Sequence, residues 1–185
     1  MIASLRGRIL SVTPAWLLLE VSGVGFRIYA APNTLTHLRA GEDAMLYVHD
    51  HVREDARDLF GFLSEDELAL FERLISISGV GPKAGMSILS VGSVETIKRA
   101  IMNGDLTILT SAPGIGTKIA QKIVLELKGI LVDADIAPGP DREVIDALVS
   151  LGYSASQAKT ALKAISPDVS DVSERVKEAL RNLSS

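Results

Sequence analysis

The chain has 185 residues, 47% of them apolar, which suffices for two or three small domains that each bury a core. It has no cysteine, no signal-peptide pattern and no apolar run near the roughly 20 residues that cross a bilayer, which excludes disulfides and thiolate metal sites and predicts a soluble cytoplasmic protein. The net charge of −4 argues against a nucleic-acid partner unless basic residues gather on one face.

Residues 1–63 alternate apolar and polar side chains in short runs, as β-strands do. The runs are SLRGRILSV, AWLLLEV, GFRIYAA, AMLYVHDHV and DLFGFL. Five short strands in so few residues predict a small closed or partly closed barrel, because closure removes exposed strand edges. Glu54 and Asp55 lie where the pattern turns between the last two runs, so both carboxylates can project from a hairpin tip.

The period changes to that of helices at Ser64, which forms a capping box with Glu67. The apolar residues that follow on one helical face are Leu68, Phe71, Leu74 and Ile75. Later helix ends are predicted at Ser93, Asn103 with Gly104, Asp105 and Gly129. Residues 64–131 carry seven basic and seven acidic residues, whereas residues 132–185 carry six against nine. The acidic excess is therefore C-terminal, and the middle segment is free to form a basic face.

Two stretches of this helical segment repeat one another. SGVGPKAGMSIL, residues 78–89, aligns with PGIGTKIAQKIV, residues 113–124. The alignment pairs Gly79 with Gly114, Val80 with Ile115, Gly81 with Gly116 and Lys83 with Lys118. Each copy follows one helical pattern and opens another, with Pro82 in the first turn of the new helix. Two such copies can pair about a pseudo-twofold axis.

The repeated turn suits a phosphate group. The helix that starts at each hairpin has N–H groups without intrahelical partners, and its dipole is positive there. Glycine permits the turn and lets an oxyanion approach the backbone, while Lys83 and Lys118 can reach the same anion. The residue between the glycines, Val80 or Ile115, is predicted to point inward. The alternative is a turn that only connects packed helices, and it is weakened because the lysine repeats together with the glycines.

A nucleotide site is disfavoured. Gly79, Gly81 and Gly85 loosely resemble a dinucleotide fingerprint, but that fingerprint follows a strand, and the second copy lacks the third glycine. No GxxxxGK[ST] motif is present, so we expect no cofactor and assign any ATP hydrolysis to another subunit. The hairpins therefore indicate contacts to the phosphate backbone of duplex DNA that do not read sequence.

An acidic segment, VDADIAPGPD, predicts a mobile linker over 132–141. Three helical patterns follow in residues 142–185: REVIDALVSL, ASQAKTALKAI and SERVKEAL, with a capping box at Ser154 and Gln157. The predicted core residues of this unit are Leu148, Leu162 and Ile165. So small a core predicts a unit that acts by contact.

In order along the whole chain, HVREDARDLFGF, the paired GVGPK and GIGTK hairpins and ALVSLGYSASQA resemble the RuvA family of Holliday-junction branch-migration subunits. The resemblance implies an α+β multidomain fold with an oligonucleotide/oligosaccharide-binding type β-barrel over 1–63. A tandem helix-hairpin-helix domain over 64–131 and a ubiquitin-associated-like three-helix domain over 142–185 would follow. It also implies a non-catalytic homotetramer that holds a four-way junction open as a square, and two tetramers can enclose the junction.

The resemblance further implies partners and site residues. The C-terminal domain would dock on the hexameric ATPase RuvB, and the RuvC resolvase is a second candidate partner. Glu54 and Asp55 would form an acidic pin that repels phosphates at the crossover, with Arg53 and Arg57 attracting the deflected strands. The predicted DNA-binding residues are Gly79, Val80, Gly81, Lys83, Gly114, Ile115, Gly116, Thr117, Lys118 and Lys122.

Two details stay open at this level. Thr117 stands where relatives often carry a second basic residue, so Lys122 either compensates for the missing charge or stays in solvent. Leu151, Gly152 and Tyr153 resemble the first loop of ubiquitin-associated domains and are predicted to contact a partner. Alternatively, Leu151 and Tyr153 complete the small core.

Two other functions compete with a junction-binding scaffold. A structure-specific nuclease would use Glu54 and Asp55 as metal ligands. Adjacent strand residues face opposite ways, and no further acidic cluster is placed to complete such a site, so this function ranks low. The third candidate is an adaptor that acts through the C-terminal domain alone.

Overall fold

The computed structural model describes residues 1–134, 140–153, 155–165, 169 and 171–183. The chain divides into two compact units, Met1–Val124 and Leu125–Ser185. The first unit contains a barrel and the paired hairpins, and the second contains the C-terminal helices.

Five strands form a closed barrel at the start of the first unit. They are β1 Ser4–Val12, β2 Trp16–Val21, β3 Val24–Tyr29, β4 Asp43–Val52 and β5 Arg57–Phe62, in the order β1-β2-β3-β5-β4. The β3–β5 pair is parallel and the others are antiparallel. Buried side chains that fill the barrel include Ile9, Leu17, Leu19, Ile28, Leu46 and Val48. The predicted strands and barrel are confirmed. The barrel forms because the alternation of apolar and polar residues along each strand puts the apolar side chains on the inner face.

Six helices follow or interrupt the strands up to the linker segment. They are α1 Pro32–Leu35, α2 Glu65–Ile75, α3 Pro82–Leu89, α4 Val94–Asn103, α5 Leu106–Thr110 and α6 Thr117–Ala134. The predicted caps Ser93 and Asp105 accept from Thr96 N–H and Thr107 N–H, and Gly104 ends α4 at a φ of 71°. The predicted helix end at Gly129 is wrong. One exposed glycine costs only about 1 kcal/mol in a helix interior, and α6 continues through it to Ala134.

The capping box at the start of α2 forms with a shifted return bond. Ser64 Oγ accepts from Glu67 N–H at 3.2 Å, as predicted. The Glu67 carboxylate accepts from Leu63 N–H at 2.8 Å, one residue before the cap. Of the predicted apolar face, Phe71 and Leu74 are fully buried, whereas Leu68 and Ile75 are half-buried. Leu70, which was not predicted, is also buried.

Phe71 joins α2 to the barrel. Its ring centroid lies 4.9 Å from that of Phe62 and 5.5 Å from that of Phe60, both on β5, and 5.4 Å from the ring of His49 on β4. His49 Nδ1 also lies 3.0 Å from the Glu72 carboxylate. Because aromatic pairs at these separations pack closely and bury large areas, α2 is fixed against the two strands that carry the acidic turn.

Gly85 allows α3 to lie close against α2. A Cβ atom at Gly85 would lie 3.0 Å from Phe71 Cε2 and 3.1 Å from Ile75 Cγ2, which is closer than ordinary carbon contacts. Gly85 therefore serves helix packing, and α2 rather than a strand precedes the hairpin. This agrees with the expectation that the three glycines are not a dinucleotide fingerprint.

In the described residues of the second unit, three helices follow α6: α7 Pro140–Ser150, α8 Ala155–Lys163 and α9 Val172–Leu183. The predicted core residues Leu148 and Ile165 are buried, and Leu162 packs against them. Arg175 on α9 binds Asp141 on α7, with 2.6 Å between nitrogen and oxygen. The cap predicted at Ser154 lies outside the described residues, as do residues 135–139 of the predicted linker, whereas 132–134 and 140–141 are helical. None of the helices in the described ranges has the length and apolarity needed to cross a membrane.

Replacing Gly85 by alanine is expected to destabilise the first unit. The added methyl group would lie 3.0–3.1 Å from Phe71 and Ile75, so these side chains must shift. Because Phe71 is fully buried against the barrel, we expect the strain to exceed the helix-propensity gain, and the free energy of unfolding should fall by about 1–2 kcal/mol. Urea denaturation followed by circular dichroism measures the change.

Gly129→Ala is the matched control, because Gly129 is also inside a helix but nothing lies within 4 Å of its Cβ position. That variant should be more stable than the natural chain by about 0.5–1 kcal/mol. Equal effects of the two substitutions would contradict the packing role of Gly85.

Candidate nucleic-acid interface

The two predicted hairpins have the same backbone conformation. Gly79 has a φ of 93° and Gly114 a φ of 83°, the left-handed region that favours glycine. Val80 and Ile115, which follow them, are 3% and 5% exposed and point into the protein as predicted. The glycines therefore make the turn, and the apolar residues anchor it.

The hydrogen bonds of the hairpins repeat at an offset of 35 residues. Val80 N–H donates to Ile77 O at 2.9 Å, and Ile115 N–H donates to Ala112 O at 3.0 Å. The repeat extends into the helices on either side. Equivalent bonds run from Ser76 to Glu72, Ser111 to Thr107, Gly85 to Gly81 and Ala120 to Gly116. The two copies are thus one structural unit used twice.

Each hairpin leaves the start of a helix open. At Gly81 and Gly116 nothing lies within 4 Å of a Cβ position, so the space beside each α-carbon is open. Lys83 and Lys118 lie in the first turns of α3 and α6, and both are exposed. Free backbone N–H groups, a positive helix end and a lysine together suit an oxyanion. Thr117 is exposed at the start of α6 and retains its N–H group, unlike the proline at the same place in the first copy.

Two hydrogen bonds join the repeats, one donated by each. Ser87 Oγ on α3 donates to Pro113 O at 2.7 Å, and Lys122 Nζ on α6 donates to Ser78 O at 2.6 Å. Ser87 aligns with Lys122, and Ser78 aligns with Pro113, so the two bonds are equivalent. Reciprocal contacts of this kind are what pairing about a twofold axis requires. Lys122 is half-buried rather than left in solvent.

Glu54 and Asp55 form the tip of the β4–β5 hairpin, as predicted. Val52 pairs with Arg57, and Arg53 N–H donates to Ala56 O at 2.8 Å, which leaves a loop of two residues. Both loop side chains are exposed. Two carboxylates therefore project from the end of a paired strand ladder.

The stem below the tip contains two ion pairs. Arg57 binds Asp50 through two bonds of 2.9 and 2.8 Å, and Arg53 binds Asp58 at 3.2 Å. Residues 50–58 hold four carboxylates and two guanidiniums, so the paired stem leaves the two negative charges at the tip unbalanced. The predicted attraction of DNA strands by Arg53 and Arg57 stays a prediction, since both arginines already hold carboxylates.

Asp50 anchors this stem to the rest of the barrel. Its carboxylate, 1% exposed, also accepts from Ile2 N–H at 2.8 Å. The hydrogen bonds from Arg57, assisted by the Ile2 amide and by the guanidinium charge, lower the pKa of Asp50 from 3.8 to about 2 against the opposing effect of burial. The carboxylate is therefore charged at neutral pH and ties Ile2, which lies just before β1, to the strands that carry the tip.

A groove of about 360 Å³ lies between the stem and the first hairpin. Its lining residues are His51, Arg53, Asp58, Phe60, Gly81, Pro82 and Lys83. His51 was not predicted from the sequence, because a histidine in a strand carries no signal of its own for such a site. The groove brings the base of the acidic hairpin next to the glycine hairpin within one unit.

No group of three or more histidine, aspartate or glutamate side chains is arranged to hold a metal ion in the part of the chain that the structure describes.

The C-terminal unit presents exposed apolar side chains. Leu151 is 59% exposed and Val149 is 44% exposed, whereas Tyr153 is half-buried. Gly152 turns the chain at a φ of 96°, and Tyr153 N–H donates to Leu148 O at 3.2 Å. Leu151 thus does not complete the core, and Val149 is an exposed neighbour that sequence reasoning missed.

Comparison with known proteins matches three segments of the chain. Family models match residues 1–61 as "RuvA N terminal domain", 71–128 as "SAM-like Helix-hairpin-helix tandem" and 142–184 as "RuvA, C-terminal domain". The chain is 41% identical over 187 residues to the Holliday junction branch migration complex subunit RuvA of Caldanaerobacter subterraneus, covering 99% of each chain. The chain is also 44% identical over 190 residues to the subunit of the same name from Chloroflexus aurantiacus; the match covers 98% of this chain and 97% of the relative.

Removing the Asp50 carboxylate should weaken the fold in a pH-dependent way. Because its folded pKa is lowered, the ion pair stabilises the folded state above about pH 4 and loses this effect as the pH falls toward 2. The melting temperature of Asp50→Asn should therefore lie below that of the natural chain at pH 7, and the difference should shrink between pH 4 and 2. Thermal unfolding across this range measures it.

Asp43→Asn, at the exposed start of the same strand, is the control and should change the melting temperature little at any pH. A difference for Asp50→Asn that stays constant down to pH 2 would show that the charge of Asp50 is not what stabilises the stem.

Proposed function

Since the chain belongs to the RuvA family, we propose that it is a non-catalytic DNA-binding subunit of a branch-migration complex. It recognises four-way DNA junctions, holds them open in a square-planar form and recruits the RuvB ATPase for recombination and repair in the cytoplasm. The observation that carries this proposal is the pair of equivalent hairpins, each with an open helix start and a lysine in the first turn. Relatives of the same length carry the name of that complex.

The hairpins supply affinity without sequence selectivity. The proposed phosphate contacts are the backbone of Gly79, Gly81, Gly114, Gly116 and Thr117, with Lys83 and Lys118 supplying charge. Val80 and Ile115 contribute by anchoring the turns, because their side chains are buried and their N–H groups already bond Ile77 O and Ala112 O. Two helix starts in one rigid unit hold two phosphates at a set distance. Backbone contacts of this kind position a duplex and make binding depend on salt.

The acidic pin supplies selectivity for a junction. Two like charges about 4 Å apart cost on the order of 1 kcal/mol in water and more near a protein surface. Glu54 and Asp55, on a stem whose other charges are paired, repel a continuous duplex laid across them. A junction opened at its centre leaves room for the tip, so the repulsion favours the open form.

The assembly is a homotetramer whose four pins meet near the symmetry axis, with an octamer as a second form on DNA. The C-terminal unit docks the RuvB hexamer. Leu151 beside Gly152 and Tyr153 offers the exposed apolar contact for that docking, together with Val149. Such exposed apolar side chains are typical of protein contacts. RuvC is a further candidate partner at the same junction.

Neutralising the hairpin lysines should weaken junction binding and its salt dependence. The slope of log Kobs against log salt concentration is negative. For each phosphate that Lys83→Gln or Lys118→Gln no longer neutralises, the magnitude of this slope should decrease by about 0.9. Fluorescence anisotropy with a synthetic four-way junction measures the slope between about 50 and 200 mM salt. Lys177→Gln, on α9 in the other unit, is the control and should leave the slope unchanged. Unchanged slopes in both hairpin variants would remove these lysines from the site.

Neutralising the pin should reduce selectivity rather than affinity. In Glu54→Gln/Asp55→Asn, linear duplex of matched composition should bind more tightly, so the ratio of junction to duplex affinity falls. The matched control is Glu42→Gln/Asp43→Asn, which makes the same charge change at the other end of β4. Gel-shift titration measures both ratios, and an unchanged ratio in the pin variant would refute the role of the pin. Metal-dependent cleavage of the junction that is lost in Glu54→Ala would instead favour a nuclease.

A further inference from the structure

Two bonds cross between the repeats, and each ends on the carbonyl that precedes the first glycine of the other hairpin. We propose that Ser87 and Lys122 are positioning residues that set the separation and tilt of the two hairpins. Each acts through the carbonyl it binds, Pro113 O or Ser78 O, rather than by touching DNA. This inference rests on the proposed function, because it concerns how the two phosphate sites are held relative to each other.

The geometry of the bonds carries the inference. The donor of each bond lies on the helix that one hairpin opens, and the acceptor lies inside the turn of the other hairpin. Each turn is therefore held at two places: by its own buried residue, Val80 or Ile115, and by a side chain of the partner repeat. Loss of either donor removes the side-chain bond that joins one hairpin to the partner repeat.

The chemistry of the two donors differs although their positions match. Ser87 supplies a neutral hydroxyl at 2.7 Å, and Lys122 supplies an ammonium at 2.6 Å, a charge-assisted bond. A neutral side chain in the equivalent place shows that the bond, not the charge, is what the two repeats have in common. Lys118, one turn earlier, is exposed and is the lysine that suits a phosphate, whereas Lys122 is half-buried.

The energetic consequence is preorganisation. Two sites on one rigid body bind two phosphates of the same duplex with less loss of conformational freedom than two loosely held sites do. Weakening one crossing bond should therefore lower affinity for DNA while leaving the number of released counterions the same. This separates a positioning residue from a phosphate ligand.

The test compares four single variants by anisotropy titration of the full chain with a four-way junction at several salt concentrations. Ser87→Ala and Lys122→Met should each weaken binding by roughly three- to tenfold, the range of one missing hydrogen bond, with the salt slope of the natural chain. Ser87→Thr retains a hydroxyl and should restore affinity. Lys118→Gln is the reference for a phosphate ligand and should decrease the magnitude of the negative slope by about 0.9 per phosphate.

Coupling between variants adds a second readout that a general loss of stability would not produce. Ser87 holds the hairpin of Lys118, so Ser87→Ala should cost less in a Lys118→Gln background than alone. Lys122 holds the hairpin of Lys83 and should couple to Lys83→Gln in the same way. Full additivity of both pairs would overturn the inference, as would natural affinity in Ser87→Ala or a slope decrease of about 0.9 in Lys122→Met.

A measurement without DNA separates this inference from the proposed function. Amide hydrogen exchange of Gly114 to Gly116 should quicken in Ser87→Ala, and that of Gly79 to Gly81 should quicken in Lys122→Met. Unchanged exchange at both hairpins would refute the positioning role whatever the DNA results are. Quickened exchange in a protein whose natural form binds neither junction nor duplex would support the positioning role and refute the proposed function.

Discussion

The contact on which the first unit depends is the packing of Phe71 between the barrel and the first hairpin. On one side its ring meets Phe60 and Phe62 of β5, the strand that leads out of the acidic tip. On the other side it borders Gly85 of α3, the helix that opens at the hairpin. A single fully buried side chain thus fixes the strand that leaves the acidic tip relative to the helix that opens at the first hairpin. The acidic tip and the first hairpin, to which we assign opposite effects on phosphate, therefore belong to one compact unit.

Within the first unit, negative charge at the acidic tip is separated from positive charge at the hairpins, although the chain as a whole is mildly acidic. The stem of the tip pairs Arg57 with Asp50 and Arg53 with Asp58, which leaves two unbalanced negative charges at its end. The hairpins present lysines and open amides, and neither depends on a large excess of basic residues. Net charge is therefore a poor guide to a candidate interface of this kind, because fixed amide dipoles and a few charged side chains supply the local field.

Local patterns in the sequence were enough to predict the strands, the caps at Ser64, Ser93 and Asp105, and both glycine turns, because each depends on residues close together in the chain. The helix end at Gly129 was predicted wrongly because the cost of one glycine is smaller than the gain from continuing a long helix. Alignment of the repeats put Ser87 opposite Lys122, but bonds between the copies depend on their arrangement in space, which the sequence does not express. The partners of Arg53 and Arg57 were missed for the same reason.

The loop of two residues at the acidic tip limits how this strand pair can vary. From the His49–Phe60 pair beside Phe71, five further residues of chain lead to Glu54, a reach of about 17 Å at the rise of a β-strand. A turn with no spare residue cannot absorb an insertion on one strand without shifting every pair below it. The reach can therefore lengthen or shorten only when both strands change together, by about 3.4 Å for each pair of residues. Single substitutions can therefore change the charge of the acidic tip, but a change in the length of its hairpin requires equal insertions or deletions on both strands.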